Sequence, residues 1–115
     1  MSRFTKSFGF ALNGILYAFK TQVNFKVHSA LIVMVSLAGW YFELNGSEWL
    51  WLLAAIAMVL ISELFNTAIE VLVDLVSPAH NEKAGIVKDT AAAAVLVAAI
   101  IAVVIGLIIF LPKIL

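Results

Sequence analysis

Four stretches of different patterning follow one another along the chain. Through residues 2–20, Phe4, Phe8, Ala11, Leu12, Ile15 and Phe19 recur at helical spacing on one face, with Arg3, Lys6, Asn13, Tyr17 and Lys20 on the other. This predicts a basic amphipathic helix lying in the headgroup region of a membrane, apolar side down. It is not a signal peptide, which would need a continuous apolar core. Phe10 breaks the pattern by projecting from the polar face, where an aromatic ring either stacks on a base or rests on a neighbour.

The second stretch opens polar, with Thr21, Gln22, Asn24, Lys26, His28 and Ser29, and then runs apolar through 30–42, predicting a first membrane span at about 25–43. The Asn45-Gly46 pair reads as a turn, flanked by Trp40, Tyr41, Trp49 and Trp51 as an interfacial aromatic belt would be. A second span at about 49–76 would be roughly 42 Å long, more than the roughly 30 Å of hydrocarbon, so its far end emerges into water. Pro78 ends it. A third helix opens near Gly85, carries Lys88 and Asp89 in its early turns, and has no charge across 90–111, predicting a span at about 86–111. Small residues at 91–94 offer a face for close approach to the second span. The pattern is that of a single-domain, all-α membrane protein: one amphipathic surface helix plus three transmembrane helices.

A strip of polar groups interrupts the second span: Ser62, Glu63, Asn66, Thr67, Glu70 and Asp74. The last five share one helical face, while Leu64, Phe65, Ile69, Leu72, Val73 and Val76 occupy the other. Carboxylates inside a membrane are costly and mark a functional site. By helical rise Glu63 lies about 21 Å from Trp49 and Glu70 about 10 Å further on, nearer the surface. Two turns apart, they can hardly share one Mg²⁺ at the roughly 2.0–2.1 Å that ion demands. Two roles are more natural. Glu63, deeper, is placed to take a proton from a hydroxyl held at membrane depth, and Glu70 to hold a cation that bridges phosphates. Asn66, one turn from each, can orient either. The alternative without chemistry is a polar network that fixes helix register. Lys88 and Asp89 form a second polar cluster at the same surface, either a solvated helix start or a ligand site. His28 and His80 lie near interfaces, where plain polar residues are expected.

Composition narrows the class. Of 115 residues 64% are hydrophobic and 12% charged, against roughly 25% charged in a soluble domain, and the mean hydropathy is +1.12. The net charge of +0 leaves no nucleic-acid footprint. The absence of cysteine excludes disulfides and thiolate metal sites. No glycine-rich phosphate loop is present. Arg3, Lys6, Lys20, Lys26, Lys83 and Lys88 belong to one side of the membrane and Lys113 to the other, which predicts a cytoplasmic N-terminus, an outside C-terminus and a strip open to the cytoplasm. Three helices cannot enclose that strip, so a homo-oligomer with sites between subunits is expected. A cation-binding transporter would also use intramembrane acids, but the third span and the outer half of the second offer it no ionisable group.

Three stretches carry a family likeness: Glu63-Leu-Phe-Asn-Thr-Ala-Ile-Glu70, Val73-Asp74 with Ser77-Pro78, and Lys88-Asp89-Thr-Ala-Ala-Ala-Ala-Val95. With Asn24-Phe25-Lys26 before the first span, they resemble the small prokaryotic diacylglycerol kinase family, which includes undecaprenol kinases. The resemblance covers nearly the whole chain. It implies an ATP-dependent lipid kinase of the bacterial inner membrane, homotrimeric, with Mg²⁺ and composite sites on the cytoplasmic face. It further implies that Glu63 is the catalytic base, Asn66 an active-site asparagine, Glu70 a metal and nucleotide ligand, and Lys88 and Asp89 a nucleotide-contacting pair. Arg3 falls where an N-terminal arginine meets nucleotide or substrate; Asp74 and Glu82 also match.

Two positions depart from the family pattern. Gln22 stands where a metal-binding glutamate is usual, and an amide is a weaker ligand for a hard cation, so loss of one metal site or a catalytically idle paralogue is an open alternative. His80-Asn81 is offset by one from the usual Tyr-His pair, leaving His80 as a nucleotide neighbour. The segments around 19–28 and 105–113 look more like the undecaprenol kinase branch than the diacylglycerol branch.

Overall fold

Side-chain caps open three of the four helices of this chain. The structure is a computed structural model that describes residues 2–115. Its elements are α1 (Arg3–Thr21), α2 (Val23–Tyr41), α3 (Gly46–Val76) and α4 (Glu82–Ile114), with no strand among the described residues. Ser2 opens α1, its Oγ accepting the Thr5 N–H at 3.3 Å. Asn45 opens α3 through a reciprocal capping box: Oδ1 accepts the Glu48 N–H at 2.9 Å, and Glu48 Oε1 accepts the Asn45 N–H at 3.0 Å. Asn81 Oδ1 accepts from Lys83 and Ala84 at 2.9 and 3.2 Å and so opens α4.

These caps move the predicted boundaries. The second span starts at Gly46 rather than 49, and Asn45-Gly46 is a helix start rather than a turn. The third starts at Glu82 rather than 86 and runs on to Ile114, with Pro112 in its last turn. The first runs Val23–Tyr41. Between α1 and α2 a single extended residue, Gln22 (φ −109°, ψ 113°), turns the chain; its N–H bonds Ala18 O at 2.9 Å and its carbonyl accepts from Lys26 at 3.3 Å. The site described below is built against this corner.

Helix α2 ends in a Schellman motif. Glu43 N–H reaches Trp40 O at 3.2 Å and Leu44 N–H reaches Gly39 O at 3.1 Å, with Glu43 in the left-handed region at φ 54°. Leu44 folds back over Gly39, where an added Cβ would sit 2.7 Å from the Trp49 ring and 3.0 Å from Leu44. Glycine at 39 is thus the close-approach residue, while the left-handed position is filled by a glutamate.

Helix α3 is the axis of the fold. It packs along α4 and, less extensively, against α2, and α1 touches α2 and α3 but not α4. Its buried seam is Leu52, Ala55, Val59, Glu63, Asn66 and Thr67, so the polar strip continues the packed face of the helix. The opposite side is open, with Phe65, Leu72 and Val76 all exposed. On α4 the matching row is Ala91, Val95 and Ala98; of the small residues at 91–94 only Ala91 is buried, so close approach follows one residue per turn rather than the run. At the aromatic end Leu44, Leu52 and Ile109 form an apolar cluster, and Lys113 meets Glu48 at 3.1 Å.

The molecule measures 51 × 42 × 20 Å. The 42 Å width exceeds what three helices at axial separations of about 8–10 Å would need, so α1 extends sideways from the bundle. Nearly all its side chains are exposed; Ala18 alone is buried. Tyr17, assigned to its polar face by periodicity, instead lines an apolar groove with Ala11, Gly14 and Ile15 against Leu64 and Leu72 of α3. Three helices, α2, α3 and α4, are long and apolar enough to cross a membrane.

Replacing Glu43 by glycine removes the steric penalty of a left-handed side chain, which exceeds the entropy glycine loses on folding. Glu43→Gly should therefore raise the melting temperature of the detergent-solubilised protein, for a gain of about 0.5–1 kcal/mol. A lowered melting temperature would show that the Glu43 side chain makes a compensating contact.

Candidate active site

The polar strip of α3 is graded by depth. Glu63 is 1% exposed and Asn66 7%, Glu70 is half-buried, and Asp74 is exposed. Two members are occupied within their own helix: Thr67 Oγ1 donates to the Glu63 carbonyl at 2.9 Å and Ser62 Oγ to the Val59 carbonyl at 2.9 Å. What is left for chemistry is Glu63, Asn66, Glu70 and Asp74.

Glu70 is held from two sides. Gln22, at the α1–α2 corner, donates Nε2–H to Oε2 at 3.2 Å, and Asn66 donates Nδ2–H to Oε1 at 3.4 Å. Gln22 and Glu70 do come together, as a shared metal site would require, but Gln22 turns its amide nitrogen toward the carboxylate. Among the described residues no group of three His, Asp or Glu gathers that could hold a metal by itself. Mg²⁺ commonly needs only one or two carboxylates, with waters and substrate phosphates completing its shell. Glu70 fits that requirement, and the Asn66 carbonyl oxygen is buried with no partner, an acceptor available for an incoming cation or donor.

Glu63 meets a residue that periodicity did not single out. His28 Nδ1 of α2 lies 2.9 Å from Glu63 Oε1. Both atoms are buried, and neither has a hydrogen bond of acceptable angle. The distance is that of a direct contact while the aim is off. The packing of two helices fixes the distance, whereas the angle follows a soft ring torsion. A signal for this contact existed in the chain. Steps of about 9 Å along α2 from Gln22 and about 10 Å back along antiparallel α3 from Glu70 bring His28 opposite Glu63.

At the exposed end of the strip Lys88 Nζ of α4 meets Asp74 Oδ1 at 2.6 Å. Asp89 faces solvent beside it. Arg3, His80 and Glu82 are likewise exposed, and among the described residues their side chains form no hydrogen bond or ion pair with the strip. Phe10 is 72% exposed and stacks on no ring among the described residues. Of the residues the sequence assigned, Gln22, Glu63, Asn66, Glu70, Asp74 and Lys88 meet partners within the cluster, joined by His28, which the sequence did not assign, while Arg3, Phe10, His80, Glu82 and Asp89 form no hydrogen bond or ion pair with them among the described residues.

Chemically the cluster provides a wholly buried carboxylate, a second carboxylate at the rim bracketed by neutral amides, and an ammonium group beyond it. This layout can take a proton at depth and stabilise anionic charge near the surface.

Residues 9–110 match the sequence family described as prokaryotic diacylglycerol kinase. An undecaprenol kinase of Bacillus subtilis (strain 168) is 43% identical over 113 residues, which cover 98% of this chain and 92% of the relative. A diacylglycerol kinase of Synechocystis sp. is 44% identical over 110 residues, 95% of this chain and 63% of its own length. A diacylglycerol kinase of Escherichia coli (strain K12) is 27% identical over 103 residues, 90% of this chain and 84% of its own.

The Lys88–Asp74 pair is solvent-screened and adds little to stability. Lys88→Met should leave the melting temperature unchanged; a fall of several degrees would make the pair structural rather than available to a ligand.

Proposed function

Since the chain belongs to the prokaryotic diacylglycerol kinase family, a family of lipid kinases, we propose that it transfers the γ-phosphoryl group of ATP to the hydroxyl of a membrane lipid alcohol. The observation that carries this reading is the separation of the two glutamates by depth: Glu63 is buried where a lipid hydroxyl would arrive, and Glu70 stands at the rim where phosphates would. In the proposed step the hydroxyl proton passes to the Glu63 carboxylate as the hydroxyl oxygen bonds to the γ-phosphorus. The bond to the β,γ-bridging oxygen breaks and ADP leaves. Such a transfer needs mainly positioning and charge neutralisation, which a small site can supply. Glu70, steadied by Gln22 and Asn66, would hold Mg²⁺, whose contribution is to neutralise charge on the phosphates. Lys88 and Asp89 would contact the nucleotide.

Undecaprenol is the favoured acceptor over diacylglycerol. The Bacillus undecaprenol kinase aligns across 92% of its own length, against 63% for the Synechocystis diacylglycerol kinase of near-equal identity. The excess of basic residues at the strip's end of the bundle supports a cytoplasmic site in the bacterial inner membrane, with the N-terminus inside and the C-terminus outside. The exposure of Arg3, His80, Glu82 and Asp89 around a half-assembled site supports a homotrimer in which neighbouring subunits complete the nucleotide pocket. Ion transport is disfavoured, because no ionisable residue follows Glu63 toward the aromatic end of α3 until Glu48.

The test is phosphate transfer from labelled ATP to undecaprenol and to diacylglycerol by the purified chain with Mg²⁺. Wild type should label undecaprenol more efficiently, and labelling of neither lipid would end the kinase reading. Glu63→Gln should lower kcat by about 10²–10⁴-fold; wild-type rates in that variant would remove Glu63 as the base. Gln22→Glu adds a charged oxygen ligand beside Glu70, so half-maximal activity should be reached at lower Mg²⁺ concentration. An unchanged Mg²⁺ titration would place Gln22 outside the metal site.

A further inference from the structure

A glutamate this deeply buried can serve as a base only if its charge has a partner, because an unpaired carboxylate in an apolar interior is strongly disfavoured. The neighbours on α3 do not supply one. Thr67 donates to the Glu63 backbone carbonyl and the Asn66 amide donates to Glu70, so neither is aimed at the Glu63 carboxylate. The seam of α4 facing it is Ala91, Val95 and Ala98. On α2, His28 Nδ1 lies 2.9 Å from Glu63 Oε1. Both atoms are buried and otherwise unpartnered. Two acceptor lone pairs at that distance repel, whereas a single proton between them satisfies both atoms at once.

We propose that His28 is a positioning residue for Glu63, donating Nδ1–H to Oε1 so that this oxygen is held by a buried partner and the second oxygen points to the acceptor hydroxyl. The ring has freedom to align. His28 retains 20% exposure against 1% for Glu63, and it borders an apolar cavity of ≈ 290 Å³ shared with Leu31, Ile32 and Val59. The His χ2 torsion is soft, so a turn of the ring would aim the N–H at the carboxylate. The arrangement resembles the orienting partner of any acid–base pair, in which the second group fixes the protonation state and direction of the first. It rests on the kinase reading for its catalytic consequence, but the pairing itself does not.

Two measurements on the full-length protein test it. In the lipid phosphorylation assay His28→Ala should lower kcat on the order of 10²-fold while leaving KM for ATP unchanged. His28→Asn should recover most of the loss, since its amide nitrogen stands the same number of bonds from Cα as Nδ1. In a Glu63→Gln background His28→Ala should cost nothing further, because groups acting as a unit are non-additive. Independently of activity, the ¹⁵N signal of His28 Nδ1 should shift on Glu63→Gln. An unchanged kcat in His28→Ala, a loss confined to KM, an equal loss in His28→Asn, or an Nδ1 signal indifferent to Glu63→Gln overturns the proposal. If wild type transfers no phosphate the kinase reading fails on its own, and the ¹⁵N shift still decides whether the pair exists.

Discussion

Glu63 is buried in the same seam that holds α3 to its neighbours, and most of the site's character follows from that placement. A helix that crosses an apolar medium satisfies its own backbone, so its side chains alone decide what it packs against. Here the packed row begins with Leu52, Ala55 and Val59 and passes without a break into Glu63, Asn66 and Thr67. Packing and chemistry share one face. The helix cannot rotate to relieve the buried carboxylate without also exposing the apolar half of the seam.

That coupling accounts for the gradient of polarity along α3. Where neighbours press closest, polar groups are either bonded inside the helix, as Ser62 and Thr67 are, or matched by a single residue across the interface, as Glu63 is by His28. Two and three turns beyond Glu63, the seam opens, and the acids take partners that come from farther away: Glu70 from the chain corner at Gln22, Asp74 from Lys88 on α4. In the proposed kinase, the deep end receives the lipid hydroxyl and the open end the phosphates, so one helix face sorts the two substrates by depth.

The other end of the bundle is built to stay together. Asn45 caps α3, its capping partner Glu48 also pairs with Lys113 at the end of α4, and Leu44 closes the Schellman turn over Gly39 while joining the apolar cluster with Leu52 and Ile109. These contacts fix how α2, α3 and α4 start from a common point. The site at the far end has fewer such ties, and much of the surface around it is exposed and apolar, including Phe4, Phe8 and Phe10 of α1. A surface helix that touches the bundle at Ala18 and along one groove leaves that end of the strip uncovered within the chain.

Periodicity alone established the four helices, the shared face of Glu63, Asn66, Glu70 and Asp74, and their order of depth, because these depend on spacing within one helix. The resemblance carried by Glu63 to Glu70 and by Lys88-Asp89 named the family before any geometry was known. Helix starts at Asn45 and Asn81 were misplaced by three or four residues, since a cap is decided by a few local hydrogen bonds and not by hydrophobic pattern. The partners across helices were decided only by tertiary structure. That His28 faces Glu63, that the amide nitrogen of Gln22 turns to Glu70, and that Lys88 reaches Asp74 while Asp89 does not, all depend on the relative register of helices. That register is set by the one-residue corner at Gln22 and the tight turn at Glu43, which no repeat within a single helix encodes.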